Sequence, residues 1–333
     1  MNQTIKHIVS TLLFTAGGAA LLIWIYRGFD FRPAADIFTQ RSNHLWIILT
    51  LLAGIVADVL RAFRWRMLLH GAEIRLGRRR AVELVFISYL INSITPRLGE
   101  LTRALLVRRG NSKVSARAFG TIIIEKIADV ACLLIVVLTA VVFRWSDTVG
   151  LMSRTFDRMQ AALPSYTLYI IIGAVLCLAV GLTLPRIRHF RSLLCNLWQG
   201  ISAIVHLQRP WAFVGLCAGI WGCNFLQLAL LLPCFAELSH LSWLDAFHVF
   251  AAASIGVLLP TPSGAGPWHF MIVKTLTAAH HVPAATAKSI ALVSHGLKTA
   301  LVMLLGLLAY VTFYWEMWTR RYRKGRGATT TNT

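Results

Sequence analysis

Charged side chains recur at helical spacing in two segments of this chain that are otherwise apolar. Arg97, Glu100 and Arg103 lie in the first segment, and Glu125 and Asp129 lie in the second. Residues three or four positions apart share one face of a helix, so each set should project together. Arginine binds phosphate through two parallel hydrogen bonds, and carboxylates hold arginines or an amine. The pattern therefore indicates a polar site in which an arginine contacts a substrate or pairs with these carboxylates, and we find no nucleophile–base pair beside it.

A third segment supplies the remaining candidate binding residues. The stretch LLPTPSGAGPWHF at 258–270 places Pro262, Gly264 and Gly266 inside apolar sequence, with His269 just beyond them and Lys298 farther along. Proline removes a backbone donor, and glycine permits a tight non-helical turn. Non-helical backbone at membrane depth survives only where protein or a water-filled cavity satisfies its polar groups. We therefore expect this turn to be buried in the protein or to line a cavity.

The elements that must position these residues are membrane-spanning helices. Hydrophobic residues make up 57% of the 333 positions and charged residues 14%, against about 25% charged residues in a soluble domain. Several apolar runs reach or approach the roughly 20 residues that a helix needs to cross a bilayer. These runs are His7–Tyr26, Leu45–Leu60, Phe119–Phe143, Tyr166–Leu184, Trp211–Leu232 and Ser289–Tyr314. The sequence predicts an all-α polytopic membrane protein.

The net charge of +20 is distributed as in a membrane protein rather than a nucleic-acid-binding one. Basic residues cluster at 61–80, 107–118, 186–209 and 317–333, whereas the other connections are balanced or acidic. Cytoplasmic loops carry such an excess of positive charge. We expect no nucleic-acid partner, a bacterial cytoplasmic (inner) membrane location and both termini in the cytoplasm. The sequence RAFRWR at 61–66 is interpreted as a cytoplasmic anchor in preference to a lipid site.

By this charge pattern two segments begin and end on the same side of the membrane. In the first, the arm Ala81–Thr95 is about 22 Å long at 1.5 Å per residue, which is too short to cross a core of about 30 Å. The chain then turns near Pro96, and Leu98–Val107 returns. In the second, Ala246–Leu259 and Trp268–Ala279 are the arms, and the Pro-Gly stretch is the tip. Both segments are predicted to be re-entrant helical hairpins, which leaves six full transmembrane helices.

The order of these elements indicates an internal inverted repeat. Residues 1–145 and 146–316 each read as two crossings, a re-entrant hairpin and a crossing, and residues 317–333 form a basic cytoplasmic tail. Because each half has an odd number of crossings, the two halves insert with opposite orientations. Paired interrupted segments in inverted halves point to a transporter's binding site near the bilayer midplane.

The charges inside the apolar segments leave two interpretations open. They contact a substrate, or they form ion pairs that only pin the hairpins, such as Glu100 or Glu125 with Arg97. A metal site built from His280, His281 and His295 is disfavoured, because no carboxylate or cysteine is spaced to join them. We therefore predict no metal and no cofactor.

The chain resembles the transmembrane, flippase-like region of lysylphosphatidylglycerol synthases and its small stand-alone relatives. The resemblance covers nearly the whole chain and rests on RAFRWRMLL at 61–69, INSITPRLGELTRALLVRR at 91–109, EKIAD at 125–129 and LPTPSGAG at 259–266. Three positions depart from the family pattern: Lys126 replaces an arginine, Ser263 a glycine and His269 a glutamate. The resemblance implies movement of a phospholipid or other phosphate-bearing lipid between leaflets. Aminoacyl transfer is not expected, because no soluble domain follows residue 316.

These observations predict a lipid translocase, not an enzyme. Arg97 and Arg103 are expected to take the headgroup phosphate, and Glu100, Glu125 and Asp129 to hold those arginines or contact an amine. Two alternatives stay open: a membrane-embedded enzyme acting on a phospholipid or polyprenyl phosphate, and a membrane scaffold for a lipid synthase. The expected partners are anionic or phosphate-bearing membrane lipids, and a homo-oligomer or a lipid-synthase partner stays open.

Overall fold

The computed structural model is helical, without strands, over the residues that it describes. These are residues 16–95, 98–107, 111–144, 195–196, 198–199, 202–259 and 261–329, with side chains described as far as residue 319. The helices, numbered in chain order over these ranges, are α1 Ala16–Tyr26, α2 Arg32–Asp36, α3 Arg41–Gly71, α4 Arg78–Ile94, α5 Leu98–Val107, α6 Ser112–Phe143, α7 Pro210–Ala229, α8 Trp243–Gly256, α9 Pro267–Ala279 and α10 Ala284–Thr329. The predicted all-α class is confirmed.

Four described helices are long and apolar enough to cross a membrane. They are α3, α6, Pro210–Cys234 (α7 and the turn after it) and the part of α10 from Ala284 to Thr319. Each contains one of the predicted apolar runs. Of the other two predicted crossings, Tyr166–Leu184 lies outside the described residues, and His7–Tyr26 is described only from residue 16. The predicted boundary between repeats at residues 145 and 146 also lies outside them.

Local signals explain where several of these helices begin. The Asn111 side chain accepts a hydrogen bond of 3.1 Å from the Val114 backbone nitrogen at the start of α6. Ser242 and Asp245 form a reciprocal capping box at the start of α8. Such caps satisfy backbone donors that the first helical turn leaves free. Proline occupies the first position of both α7 and α9, where its missing N–H carries no penalty.

The largest departure from the predicted boundaries is at the end of α3. The charge pattern predicts a basic loop over residues 61–80, but α3 continues to Gly71 and only residues 72–77 connect it to α4. The helix continues because Arg61 and Arg64 find carboxylate partners on α6, and no proline interrupts residues 61–71. Arg64 is 0% exposed. The interpretation of RAFRWR as a cytoplasmic anchor is therefore wrong for this residue.

Two pairs of short helices follow the predicted arms closely. α4 has 17 residues and α5 has 10, or about 26 Å and about 15 Å of helix. α8 has 14 residues and α9 has 13, or about 21 Å and about 20 Å. Within each pair the two helices pack against each other. The first arm begins at Arg78 instead of Ala81, and α8 runs from Trp243 to Gly256 instead of from Ala246 to Leu259 because the Ser242 capping box starts the helix earlier. Pro96 lies outside the described residues.

Packing between the two halves of the chain forms the interior. α3 packs along α7, α4 packs along α10, and α6 packs along α8. One buried apolar core joins α3, α6, α7, α8, α9 and α10. A second joins α3, α4, α5, α6 and α10. The short helix pairs are thus packed against the long helices α6 and α10.

Candidate functional site

A cluster of arginines and carboxylates lies where α3, α5 and α6 meet. We call this group the arginine–carboxylate cluster; its members are Arg61, Arg64, Arg103, Glu125 and Asp129. Its innermost part is fully enclosed: side-chain exposure is 0% for Arg64, 3% for Arg103 and 1% for Glu125. An Arg103 Nη atom donates to Glu125 at 2.9 Å, and Arg64 lies 3.6 Å from the same carboxylate. Glu125 therefore joins three helices.

The outer part of the cluster is partly accessible. Arg61 and Asp129 are 17% and 18% exposed and form an ion pair at 2.7 Å. Asp129 also accepts a hydrogen bond of 2.7 Å from Arg64. Beside the cluster, Lys126 donates to Glu100 at 2.8 Å, and these two side chains are 53% and 15% exposed. Opposite charges therefore stand side by side on the open face of the site.

The sequence folds into this arrangement through helix periodicity and one close backbone approach. Arg61 and Arg64 are three positions apart on α3 and share a face that meets α6. The α5 helix returns against α4 because Gly99 has no side chain: a Cβ there would collide with the Ser88 carbonyl. The Gly99 N–H donates to Asn92 Oδ1 at 2.9 Å. This bond ties the first turn of α5 to the last turn of α4.

Aromatic contacts hold the buried arginine in place. The Arg103 guanidinium lies 4.3 Å from the centre of the Trp65 ring, and Trp65 Nε1 donates to the Thr121 hydroxyl at 3.1 Å. Such a desolvated cation–π contact contributes about 2 kcal/mol or more. Arg103 is therefore fixed by both a carboxylate and a ring.

The turn after α8 lies close to the C-terminal end of α4. Pro262–Gly264 form one turn of 3₁₀ helix, and Ser263 Oγ donates to Ser93 Oγ at 3.3 Å. Gly264 and Gly266 have φ angles of +76° and +91°, which side-chain-bearing residues rarely adopt. A Cβ on Gly266 would lie 2.8 Å from the Gly18 carbonyl oxygen on α1. These glycines therefore shape the turn, and α1 covers it.

Two histidines line the same turn. His269 is 3% exposed, and its Nδ1 accepts a 3.4 Å bond from the Gly266 N–H. The ring centres of His269 and His295 are 4.7 Å apart, and His295 Nε2 lies 3.0 Å from the Ser263 carbonyl oxygen. Over the described residues, no three His, Cys, Asp or Glu side chains are placed to hold a metal ion.

An ion pair joins the two halves of the chain near this turn. Lys298 on α10 donates to Asp58 on α3 at 2.6 Å and approaches the Gly54 carbonyl at 3.4 Å. Among the described members of the ion pairs named so far, five cationic side chains face four carboxylates. The site therefore carries one net positive charge, which suits an anionic ligand.

The predicted site residues fall into two groups. Arg103, Glu125 and Asp129 meet in the cluster, and Glu100 lies beside it in an ion pair with Lys126. The second group is the turn formed by Pro262, Gly264, Gly266 and His269. Lys298 lies near this turn and is paired with Asp58 on α3. Arg97 lies outside the described residues. The structure adds Arg61 and Arg64, which the sequence analysis assigned to a loop. The three-residue spacing of Arg61 and Arg64 puts both arginines on one helix face, as the four-residue spacing does for Glu125 and Asp129. These matching faces were the sequence signal for the contact.

Comparison with known proteins gives one family. The model of the lysylphosphatidylglycerol synthase TM region matches residues 7–306. A UPF0104 membrane protein of Methanocaldococcus jannaschii is 22% identical over 335 residues, which covers 92% of this chain and 94% of that protein. A UPF0104 membrane protein of Pyrococcus horikoshii is 27% identical over 108 residues, covering 31% of this chain and 32% of that protein. The chain thus aligns with about a third of the second relative and nearly all of the first.

Proposed function

The chain belongs to the lysylphosphatidylglycerol synthase transmembrane-region family, and on that premise we propose that it is an integral membrane lipid translocase. It moves a phosphate-bearing lipid, or its headgroup, between leaflets through a polar site between the two turns. Its partners are membrane lipids, and it sits in the bacterial cytoplasmic membrane with both termini inside.

The arginine–carboxylate cluster is the observation that carries this proposal. Charges among apolar helices are expensive and usually mark a substrate pathway or a paired site. Ion pairs that only joined helices would be replaceable by apolar packing, often without loss of stability. The net positive charge of the described ion-paired residues and the partly accessible face at Arg61 and Asp129 support a ligand role beyond helix pinning.

The two parts of the cluster have different roles in this proposal. Arg64, Arg103 and Glu125 are enclosed and hold the helices in position. Arg61 and Asp129 are accessible, and they bind the phosphate and any amine of the headgroup. The adjacent Arg61 guanidinium and Asp129 carboxylate suit a zwitterionic or aminoacylated phosphate lipid, because each charge of the headgroup then meets a side chain of opposite charge.

An inverted repeat with two re-entrant hairpins is the architecture that we propose for this movement. Each short helix pair is supported by the long helix that follows the other pair: α10 packs on α4, and α6 packs on α8. A pseudo-two-fold axis in the membrane plane would produce this reciprocal packing, in which the long helix of each half supports the short helices of the other half. The contact between Ser93 and Ser263 supports hairpin tips that face each other, so rocking of the halves would open each side in turn.

We propose transport without bond cleavage. Glu125 and Asp129, the carboxylates best placed for acid–base chemistry, are each bound by arginines at 2.9 Å or less. Both carboxylates are therefore occupied by ion pairs within the protein, whereas a general acid or base must lie within hydrogen-bond reach of a substrate proton. Binding and release are the chemistry that this arrangement favours.

Lipid transfer in reconstituted vesicles tests the proposal. The probes are acyl-labelled fluorescent phosphatidylglycerol and phosphatidylethanolamine, with an impermeant quencher that reports the outer leaflet. Wild-type protein should speed exchange of at least one probe, and Arg61→Gln should slow it about tenfold, because one charge-assisted contact is lost. Glu316→Gln, at an ion pair with Arg79 and Arg80 away from the site, is the matched control and should transport normally.

Two results would contradict the proposal. Absence of exchange by the wild-type protein with both probes argues against translocation. If Arg61→Gln loses transport only in proportion to its loss of stability, the pair with Asp129 has a purely structural role.

A further inference from the structure

A cavity separate from the arginine–carboxylate cluster lies at the end of α3. Its volume is about 690 Å³, and its described lining residues are Arg66, His70, Glu73, Arg75, Leu76, Gly77 and Gln208. A second cavity of about 460 Å³ shares Glu73 and Arg75 and adds Arg117. The larger volume lies within the 300–1,000 Å³ range of small-ligand sites. None of these residues takes part in the proposed translocation site.

The backbone around this cavity is fixed before any ligand arrives. The chain leaves α3 through Glu73, whose φ is +61°, and the Ile74 N–H donates to the Leu69 carbonyl at 2.8 Å. A Cβ on Gly71 would lie 2.5 Å from the Ala203 carbonyl oxygen. This close approach sets the segment that carries Gln208 against the end of α3, so residues far apart in sequence form one wall.

The cavity is positively charged, and its arginines are available. Arg66 donates through Nε to the Leu76 carbonyl at 2.8 Å, which orients the guanidinium, and within the described part of the chain its two η nitrogens make no hydrogen bond. Arg75 is exposed, and with Arg66 it lies in electrostatic range of His70. Glu73, the acid among the described lining residues, is 88% exposed and pairs with Arg117 at 3.7 Å.

Exposed apolar residues indicate that the cavity opens at the level of lipid headgroups. Val205 is 81% exposed and Trp211 is 85% exposed, and both lie within three positions of Gln208. Tryptophan concentrates at the boundary between headgroups and hydrocarbon. Basic pockets beside transmembrane helices bind anionic headgroups. The fixed Arg66 fork provides two donors in the geometry that phosphate oxygens accept.

We propose that this cavity is a binding site for a phosphate-bearing anion, held by Arg66 and Arg75, with Gln208 also in the cavity lining. A headgroup of an anionic phospholipid and free inorganic phosphate present the same chemistry to these residues. The site does not rest on the proposed function, since it shares no residue with the arginine–carboxylate cluster.

Native mass spectrometry of the purified full chain, titrated with phosphatidylglycerol, tests the lipid as ligand. Equilibrium dialysis with radiolabelled inorganic phosphate tests the free anion. Arg75→Gln should weaken binding of the true ligand about tenfold, the effect of one charge-assisted hydrogen bond, and Arg66→Gln should weaken it by at least as much. Arg78→Gln is the matched control, because Arg78 is an exposed arginine outside the cavity lining.

Each outcome decides the matter. Weaker binding in the Arg66 and Arg75 variants with normal binding in the Arg78 variant supports the site, and the ligand that responds identifies its source. Equally weakened ligand binding in all three variants would mean that diffuse surface charge binds the anion, and it would overturn the inference. Ligand binding that is unchanged in all three variants would overturn it as well. Arg75→Gln removes no described protein contact, so it stays informative if Arg66→Gln unfolds the turn. Loss of transport in Arg61→Gln with intact binding here separates the two proposals.

Discussion

Neutralising Glu125 should destabilise the protein more than any other single charge removal in the cluster. Its carboxylate accepts from Arg103 at 2.9 Å and lies 3.6 Å from Arg64. In Glu125→Gln, Arg64 keeps its 2.7 Å contact with Asp129, whereas Arg103 loses its carboxylate while staying buried. The variant therefore leaves one enclosed guanidinium, 3% exposed, without a direct carboxylate contact among the described residues.

The size of this effect follows from the two groups that Arg103 contacts. Breaking a buried ion pair from one side typically costs about 3–5 kcal/mol. The Trp65 ring at 4.3 Å continues to stabilise the cation by about 2 kcal/mol, and the glutamine amide still accepts a hydrogen bond. We expect a loss of about 3 kcal/mol in the free energy of unfolding.

A double-mutant cycle in detergent micelles, followed by denaturant titration, measures this loss. Adding Arg103→Met to Glu125→Gln removes the stranded charge, so the double variant should recover about 2 kcal/mol relative to the sum of the single changes. Glu316→Gln is the control: its partners Arg79 and Arg80 are 69% and 26% exposed, and such a pair contributes under about 1 kcal/mol. Additive effects within about 0.5 kcal/mol would refute the coupling that the structure implies.

Three further predictions concern the second turn and the topology. Gly266→Ala should lower the unfolding free energy by about 2 kcal/mol in the same titration, because φ is +91° and a Cβ there meets the Gly18 carbonyl. Gly215→Ala is the control: a Cβ at Gly215 has free space around it, so this change should be neutral or stabilising. Asp58→Asn should lower thermal stability by stranding Lys298, and adding Lys298→Met should restore it; a double variant no better than the single would contradict the pairing. Single cysteines at 75 and 113 should react with an impermeant reagent from one side of the membrane and those at 240 and 284 from the other, and labelling of 75 and 113 from opposite sides would exclude the first hairpin.

Much of the architecture could be predicted because it depends on local sequence. Apolar length identified the four described spans, and helix-breaking residues marked the short arms: the Pro-Gly stretch follows α8, which ends at Gly256. The four-residue spacing of Glu125 and Asp129 also placed both carboxylates correctly on one face. In each case neighbouring residues carry the information.

The missed features depend on partners distant in sequence. Arg61 and Arg64 looked like the start of a basic loop, since their carboxylates on α6 lie 68 and 65 positions away. Asp58 lies in an apolar run, and its partner Lys298 is 240 positions away. Helix propensity alone cannot separate a buried arginine from a loop arginine, because tertiary contacts provide the difference.

Locking the two turns together tests the central claim most directly. In a background without native cysteines, Ser93→Cys and Ser263→Cys replace hydroxyls that are 3.3 Å apart, so oxidation should form a disulfide between the turns. If lipid crosses between the facing hairpins, the oxidised protein should stop exchanging labelled lipid in vesicles and resume when reductant is added. Unchanged exchange by fully crosslinked protein would contradict a pathway between these turns.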